Sequence, residues 1–126
     1  FKANPEMVQN WPLKCKAIAG DLTLDGLGLS PESQQILVNE VHIIINCAAS
    51  VNFDDPIRDA LNINYFGCKR LLKYAHNSKV IECFTHVSTA YVNCNRVGGI
   101  DEVVYDLDHG KDPEDLVREI LKLNPQ

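Results

Sequence analysis

The sequence predicts a parallel α/β fold, and three observations predict it. Apolar segments that read as strands alternate with segments at helical spacing. The strongest strand candidate, Val41 to Cys47, is interrupted only by His42 and Asn46. A near-continuous apolar strand is typical of a parallel sheet covered on both faces. Each strand candidate also runs directly into small or polar residues, as at the carboxyl rim where such sheets bind ligands.

The elements follow in order. Phe1 to Pro12 read as the end of an earlier element and a loop. Leu13 to Ala19 sets Leu13, Cys15, Ala17 and Ala19 against Lys14, Lys16 and Ile18, a half alternation that predicts a short strand. Ser30-Pro31-Glu32-Ser33 starts a helix, with Ser30 as cap and Pro31 in the first turn, and it should run to about Glu40. After Val41 to Cys47, Asp54-Asp55-Pro56 opens a long helix with Asp55 as the expected cap. This helix should end near Asn77. Its stripe is Ile57, Leu61, Asn64, Cys68, Leu71, Leu72 and Ala75. Val80 to Val87 reads as a second buried strand, and Ser88 to Tyr105 as a loop with a turn at Gly98-Gly99. Asp112-Pro113-Glu114 starts a last helix. Three strands make a narrow sheet with two open edges. Residues 1–126 therefore read as one incomplete domain, and further strands are expected on both sides.

Composition narrows the function. The chain has 126 residues, enough for one domain with a modest core. A net charge of −5 argues against non-specific nucleic-acid binding. No apolar run approaches the ~18 residues of a membrane span. Both ends read as cut from something longer, so targeting signals and anchors are expected outside this window. The five cysteines include no Cys-x-x-Cys and read as buried, reduced thiols. Cys83 and His86 have a ligand-like spacing, but on one strand they point to opposite faces, so no metal site is expected.

The carboxyl-rim rule selects three places: Gly20-Asp21-Leu22, Asn46-Cys47-Ala48-Ala49 and Ser88-Thr89-Ala90-Tyr91. Asp21 can accept a hydrogen bond from an amine such as the adenine amino group, or serve as a turn aspartate. Ala48 and Ala49 are too small to block a flat cofactor, and they equally suit tight strand–helix packing. Asn64 lies on the apolar stripe and should face the interior. There it either bonds backbone of the neighbouring strand or organises a catalytic loop or a bound water. Ser88 and Thr89 offer hydroxyls to a carbonyl oxygen gaining negative charge, or form a Ser/Thr turn. Tyr91 has Asn95, not Lys, four residues on, so it lacks the cation that would lower its pKa.

Taken together, four stretches resemble the extended short-chain dehydrogenase/reductases. More narrowly, they resemble the eukaryotic fatty acyl-CoA reductases, also called male-sterility proteins. The stretches are Ala19-Gly20-Asp21-Leu22, Ile44 to Asp54, Ala60 to Cys68 and His86 to Asn93. The likeness runs from about Lys14 to the end. It implies a Rossmann-type sheet whose N-terminal βαβ unit and C-terminal part are missing from this chain. It implies NADPH as cofactor. The implied reaction takes a long-chain fatty acyl-CoA through the aldehyde to the fatty alcohol. By this resemblance Asp21 and Leu22 line the adenine pocket, and Cys47, Ala48 and Ala49 pass beside the ribose and pyrophosphate. Asn64 holds the helix-borne catalytic position, and Ser88, helped by Thr89, polarises the carbonyl. The glycine-rich phosphate loop is expected before Phe1. The catalytic Tyr-x-x-x-Lys pair is expected within a few residues after Gln126. Without them the isolated piece should bind cofactor poorly and be inactive. Cys68 departs from the Thr usual after Gly67. The family resides on peroxisomal or endoplasmic-reticulum membranes or in plastids, and membrane association would come through parts outside this chain.

Other readings remain. A sugar-nucleotide epimerase or sterol dehydrogenase has the same rim geometry, and a thioester reductase domain would take a carrier-bound acyl group. A degenerate piece could be a non-catalytic binding module with exposed strand edges. A serine hydrolase built on His86 and Ser88 is disfavoured: residues two apart on a strand stand about 7 Å apart, and no Gly-x-Ser-x-Gly elbow exists.

Overall fold

Local chemistry sets the helix α1 (Pro31–Asn39). Ser30 is extended at the cap, and its Oγ accepts a hydrogen bond from Ser33 N at 3.2 Å. Pro31 lacks an N–H that would be unsatisfied there anyway. These features belong to a computed structural model that describes residues 13–107 and 110–123. The expected element and loop at Phe1 to Pro12 lie outside the described residues. The chain divides into two units, Phe1–Val87 and Ser88–Gln126.

The first unit is built on a βαβ crossover. Strand β1 (Ile43–Asn46) pairs in parallel with β2 (Cys83–His86), in the register Ile43 to Cys83 through Asn46 to His86. Between them the chain is helical over 57–77. It comprises α2 (Ile57–Ala60), a π-helical segment (Leu61–Phe66) and α3 (Gly67–Asn77). Parallel strands need such a crossover because no tight turn can join them. At the end of α3, Ser78 Oγ donates to Val38 O at 2.8 Å, which ties the helix to α1.

Several expectations are corrected. Leu13 to Ala19 forms no strand. Leu13 and Lys14 are helical, and a strand also needs a bonded neighbour, whereas no backbone bond to residues 15–19 exists among the described residues. Both strands are shorter than predicted, and β1 is covered on one face. Ile44 and Asn46 are buried, whereas Ile43 and Ile45 are 59% and 67% exposed. Strand β2 has no buried residue. Asp55 does not cap the long helix, whose N-cap is Pro56 without a side-chain bond. Instead Asp55 accepts from Ser50 Oγ and, at 2.7 Å, from Asn52 Nδ2. The cysteines are free thiols as expected but are not buried: four are exposed and Cys68 is half-buried.

Ahead of α1 the chain makes a left-handed turn, Asp25–Gly28. Gly26, Leu27 and Gly28 have φ of 64°, 58° and 58°. The two glycines take this conformation freely. Leu27 does not, at a cost of roughly 1–2 kcal/mol. Its side chain is 4% exposed, and burying a leucine returns about 1.5–3 kcal/mol.

The second unit carries α4 (Pro113–Lys122). It starts where predicted, and Asp112 caps it, accepting from Glu114 N at 2.8 Å and Asp115 N at 3.3 Å. Val117 is buried, and Lys111 bridges to Glu119 at 2.6 Å. That partner holds the Glu119 carboxyl below its ordinary pKa.

Gly28→Ala should lower stability by about 1–2 kcal/mol, because the new Cβ forces a left-handed alanine and would lie 3.2 Å from Asp21 N. Gly99→Ala, where a Cβ meets open space, should stay within about 0.5 kcal/mol. Urea midpoints of the two variants check both values.

Candidate active site

The turn at Gly20-Asp21-Leu22 is held from within and from below. Asp21 N donates to Leu27 O at 2.7 Å. Asp21 Oδ1 accepts from Thr23 N at 2.8 Å and from Thr23 Oγ1 at 2.7 Å. These bonds hold the Asp21 carboxyl below its ordinary range. Such an Asx turn is the structural reading of this aspartate. Leu22 rests on α3, so close that a Cβ at Gly67 would lie 3.0 Å from Leu22 Cβ. Beside the turn opens an apolar cavity of about 270 Å³, lined by Asp21, Leu22, Leu27, Ile36 and Leu71 among others.

At the end of β1, Asn46 is 4% exposed. Its Nδ2 lies 3.1 Å from Nδ1 of His86, its register partner on β2. Asn46 is a polar interruption of its apolar strand, and His86 gives it a partner. Cys68 Sγ lies 3.8 Å from the same Nδ1. Cys47, Ala48 and Ala49 follow, all exposed. Their small side chains leave the backbone open to approach.

Asn64 is exposed, not interior. It lies inside the π-helical segment. There the bonds run i to i+5, so a stripe extrapolated at α-helical spacing falls out of phase. Its amide pairs with backbone on both sides: Ser50 N donates to Asn64 Oδ1 at 2.8 Å, and Asn64 Nδ2 donates to Ser50 O at 3.2 Å. Asn64 thus holds backbone of the loop after β1, not of the strand itself.

In the second unit Ser88 and Thr89 are exposed. Thr89 Oγ1 accepts from Tyr91 N at 3.2 Å, and Thr89 O from Val92 N at 3.3 Å. Thr89 is therefore engaged in a turn. Ser88 makes no hydrogen bond among the described residues. A Tyr-x-x-x-Lys spacing does occur at Tyr65 and Lys69. There the Lys69 ammonium lies over the Tyr65 ring, 5.3 Å from its centroid, as a cation–π contact. No cluster of metal-ligating side chains exists among the described residues.

The residues fit one end of a dinucleotide. Drug-sized ligand pockets begin near 300 Å³, so a cavity of about 270 Å³ suits a single ring system. Apolar walls suit a flat heteroaromatic, and the ionised Asp21 is an acceptor for an amine. Nothing among the described residues forms a glycine-rich cradle for a pyrophosphate.

A parallel βαβ unit is the building block of a dinucleotide-binding domain. Comparison with known proteins agrees. The family model for male sterility proteins, an NAD-binding type, matches residues 2–124, and the chain belongs to that family. Its cofactor class is a nicotinamide dinucleotide. The chain is similar to fatty acyl-CoA reductase 1 of Xenopus laevis, 45% identical over 92 residues, covering 73% of this chain and 18% of that protein. It is 42% identical over 102 residues to fatty acyl-CoA reductase 1 of Rattus norvegicus, covering 81% and 19%. It is 40% identical over 105 residues to fatty acyl-CoA reductase 2 of Homo sapiens, covering 83% and 20%. The chain thus spans about a fifth of the length of the curated relatives it matches.

Two outcomes test this geometry. Asn64→Ala should speed exchange of the Ser50 amide and cost about 1 kcal/mol, the usual worth of such bonds. Hydrogen exchange and urea unfolding read both. Thr23→Val should raise the Asp21 pKa part of the way to the ordinary carboxylate range, as followed by carboxyl-carbon NMR. The sign follows from a depressed folded pKa. The stabilisation is present above the unfolded pKa and is lost as pH falls through the folded one, so the variant should lose less stability on acidification.

Proposed function

We infer that this chain is part of an NADPH-dependent reductase that converts long-chain fatty acyl-CoA to fatty alcohol through the aldehyde. The observation that carries the reading is the apolar cavity at the Asp21-Leu22 turn, in a chain of the male-sterility family. Asp21 and Leu22 receive the adenine. Cys47, Ala48 and Ala49 leave room for the ribose and pyrophosphate. Bound NADPH supplies the hydride. Ser88, exposed and without a hydrogen bond among the described residues, donates to the thioester carbonyl oxygen as it gains negative charge. Thr89 shapes the turn that presents Ser88. Asn64 holds the loop after Ala49 through Ser50. Both units belong to one partial nucleotide-binding domain, and the protein acts at a peroxisomal or endoplasmic-reticulum membrane or in a plastid.

The full-length protein, given NADPH and palmitoyl-CoA, should oxidise cofactor and release free CoA. Ser88→Ala should lower kcat by about 10²–10³, as removal of an oxyanion donor does. Turnover of a nucleotide sugar without CoA release would instead place the protein among the epimerases.

A further inference from the structure

We propose that Arg70 is the positioning residue of the cavity, fixing the Asp21-Leu22 turn against the helix and so setting the affinity for the adenine end of the cofactor. The inference rests on the function proposed above and adds a residue that the sequence reading did not single out.

Arg70 stands on α3, next to Leu71, which lines the cavity from the helix side. Its guanidinium is turned inward, with the side chain 25% exposed. One nitrogen, Nη1, donates to Leu22 O at 2.9 Å and to Asn62 O at 3.2 Å. The other, Nη2, donates to Asn62 Oδ1 at 3.0 Å. Asp25 Oδ1 lies 3.8 Å from Nε. Because Asp25 is fully exposed, this last pair adds little.

The arrangement joins two parts of the chain that must stay in register for the cavity to keep its shape. Leu22 lines one side, and Leu71 lines it from α3. The turn is bonded internally through Asp21, Leu24 and Leu27, and these bonds do not reach the helix. The Leu22 carbonyl bond does. Asn62 is a suitable second anchor because it sits in the π-helical segment. Its carbonyl already accepts from Gly67 N, five residues on, and its second lone pair takes Arg70. The close seat of Leu22 on Gly67 is an independent sign that the turn docks here. Lysine cannot replace this fork, since one ammonium does not reproduce the fixed planar spread of donors.

The test uses the full-length protein and two readouts. Backbone hydrogen exchange over residues 21–27 reports the turn, and NADPH titration reports the cavity. In Arg70→Met, exchange of these amides should rise about tenfold while β1 is unchanged. The Kd for NADPH should weaken about tenfold, the loss of about one good hydrogen bond. The effect should fall on KM for NADPH and spare kcat. Arg70→Lys should recover part of both. Asn62→Ala removes one acceptor without touching the guanidinium and should show the same pattern at lower amplitude, which keeps the test open if Arg70→Met fails to fold. Unchanged exchange in Arg70→Met overturns the anchor. Faster exchange with unchanged NADPH affinity overturns the positioning role. Weaker binding with unchanged exchange overturns it too, because Arg70 would then touch the cofactor directly. Failure of the wild type to bind NADPH is a different result: it overturns the reading of the cavity, and the exchange measurement still decides the anchor.

Discussion

The parallel ladder between Ile43–Asn46 and Cys83–His86 is the constraint on which the first unit depends. Parallel pairing forces the chain to cross over, and the helical stretch 57–77 is that crossover. It also sends both carboxyl ends the same way, so the residues after β1 and after β2 emerge at one edge. The last pair of the ladder is its most particular one. Asn46 is buried, and a buried amide left without a partner costs about 1–3 kcal/mol. His86 meets it from the opposite register position at 3.1 Å. Sliding β2 by one residue would separate them and turn each of its side chains to the other face.

From that frame the helix fastens two separate loops. Asn64 grips the backbone of Ser50, beyond Ala49. Arg70 grips the backbone of Leu22, beside Asp21. Both grips use planar side-chain groups with fixed donor geometry, and both end on main-chain atoms. A backbone anchor does not depend on the identity of the residue held. The sequence of either loop can thus vary while its position is kept. The close approach at Gly67 adds a steric seat to the Leu22 grip.

Much of this was legible in the sequence, and the parts that were not have physical reasons. Ser30-Pro31 and Asp112-Pro113 mark their helices because capping is local chemistry, complete within four residues. The βαβ order followed from alternating periodicity. The Leu13 to Ala19 strand was misread because alternation describes one segment, whereas a strand is a relation between two. Asn64 was placed inside because periodicity assumes one pitch, and the π-helical segment breaks the pitch without any sequence marker. Asp55 looked like a cap by position, but Ser50 and Asn52 compete for its carboxylate. The carboxyl-rim rule pointed to the segments at Asp21 and Ala48, although no strand precedes Asp21 among the described residues. Arg70 and the pairing of Asn46 with His86 were missed because the partners lie 48 and 40 residues apart in sequence, beyond any local pattern.

The π-helical segment makes the long helix a ruler with two marks. Asn64 lies within it and Arg70 lies just beyond it. A π turn is an α-helix holding one residue more than its pitch accommodates. Losing any one residue from Leu61–Phe66 would let the helix relax to regular pitch and rotate one mark relative to the other. The two loops could then no longer be held at once. Over this short stretch the chain should tolerate substitution far better than a change in length.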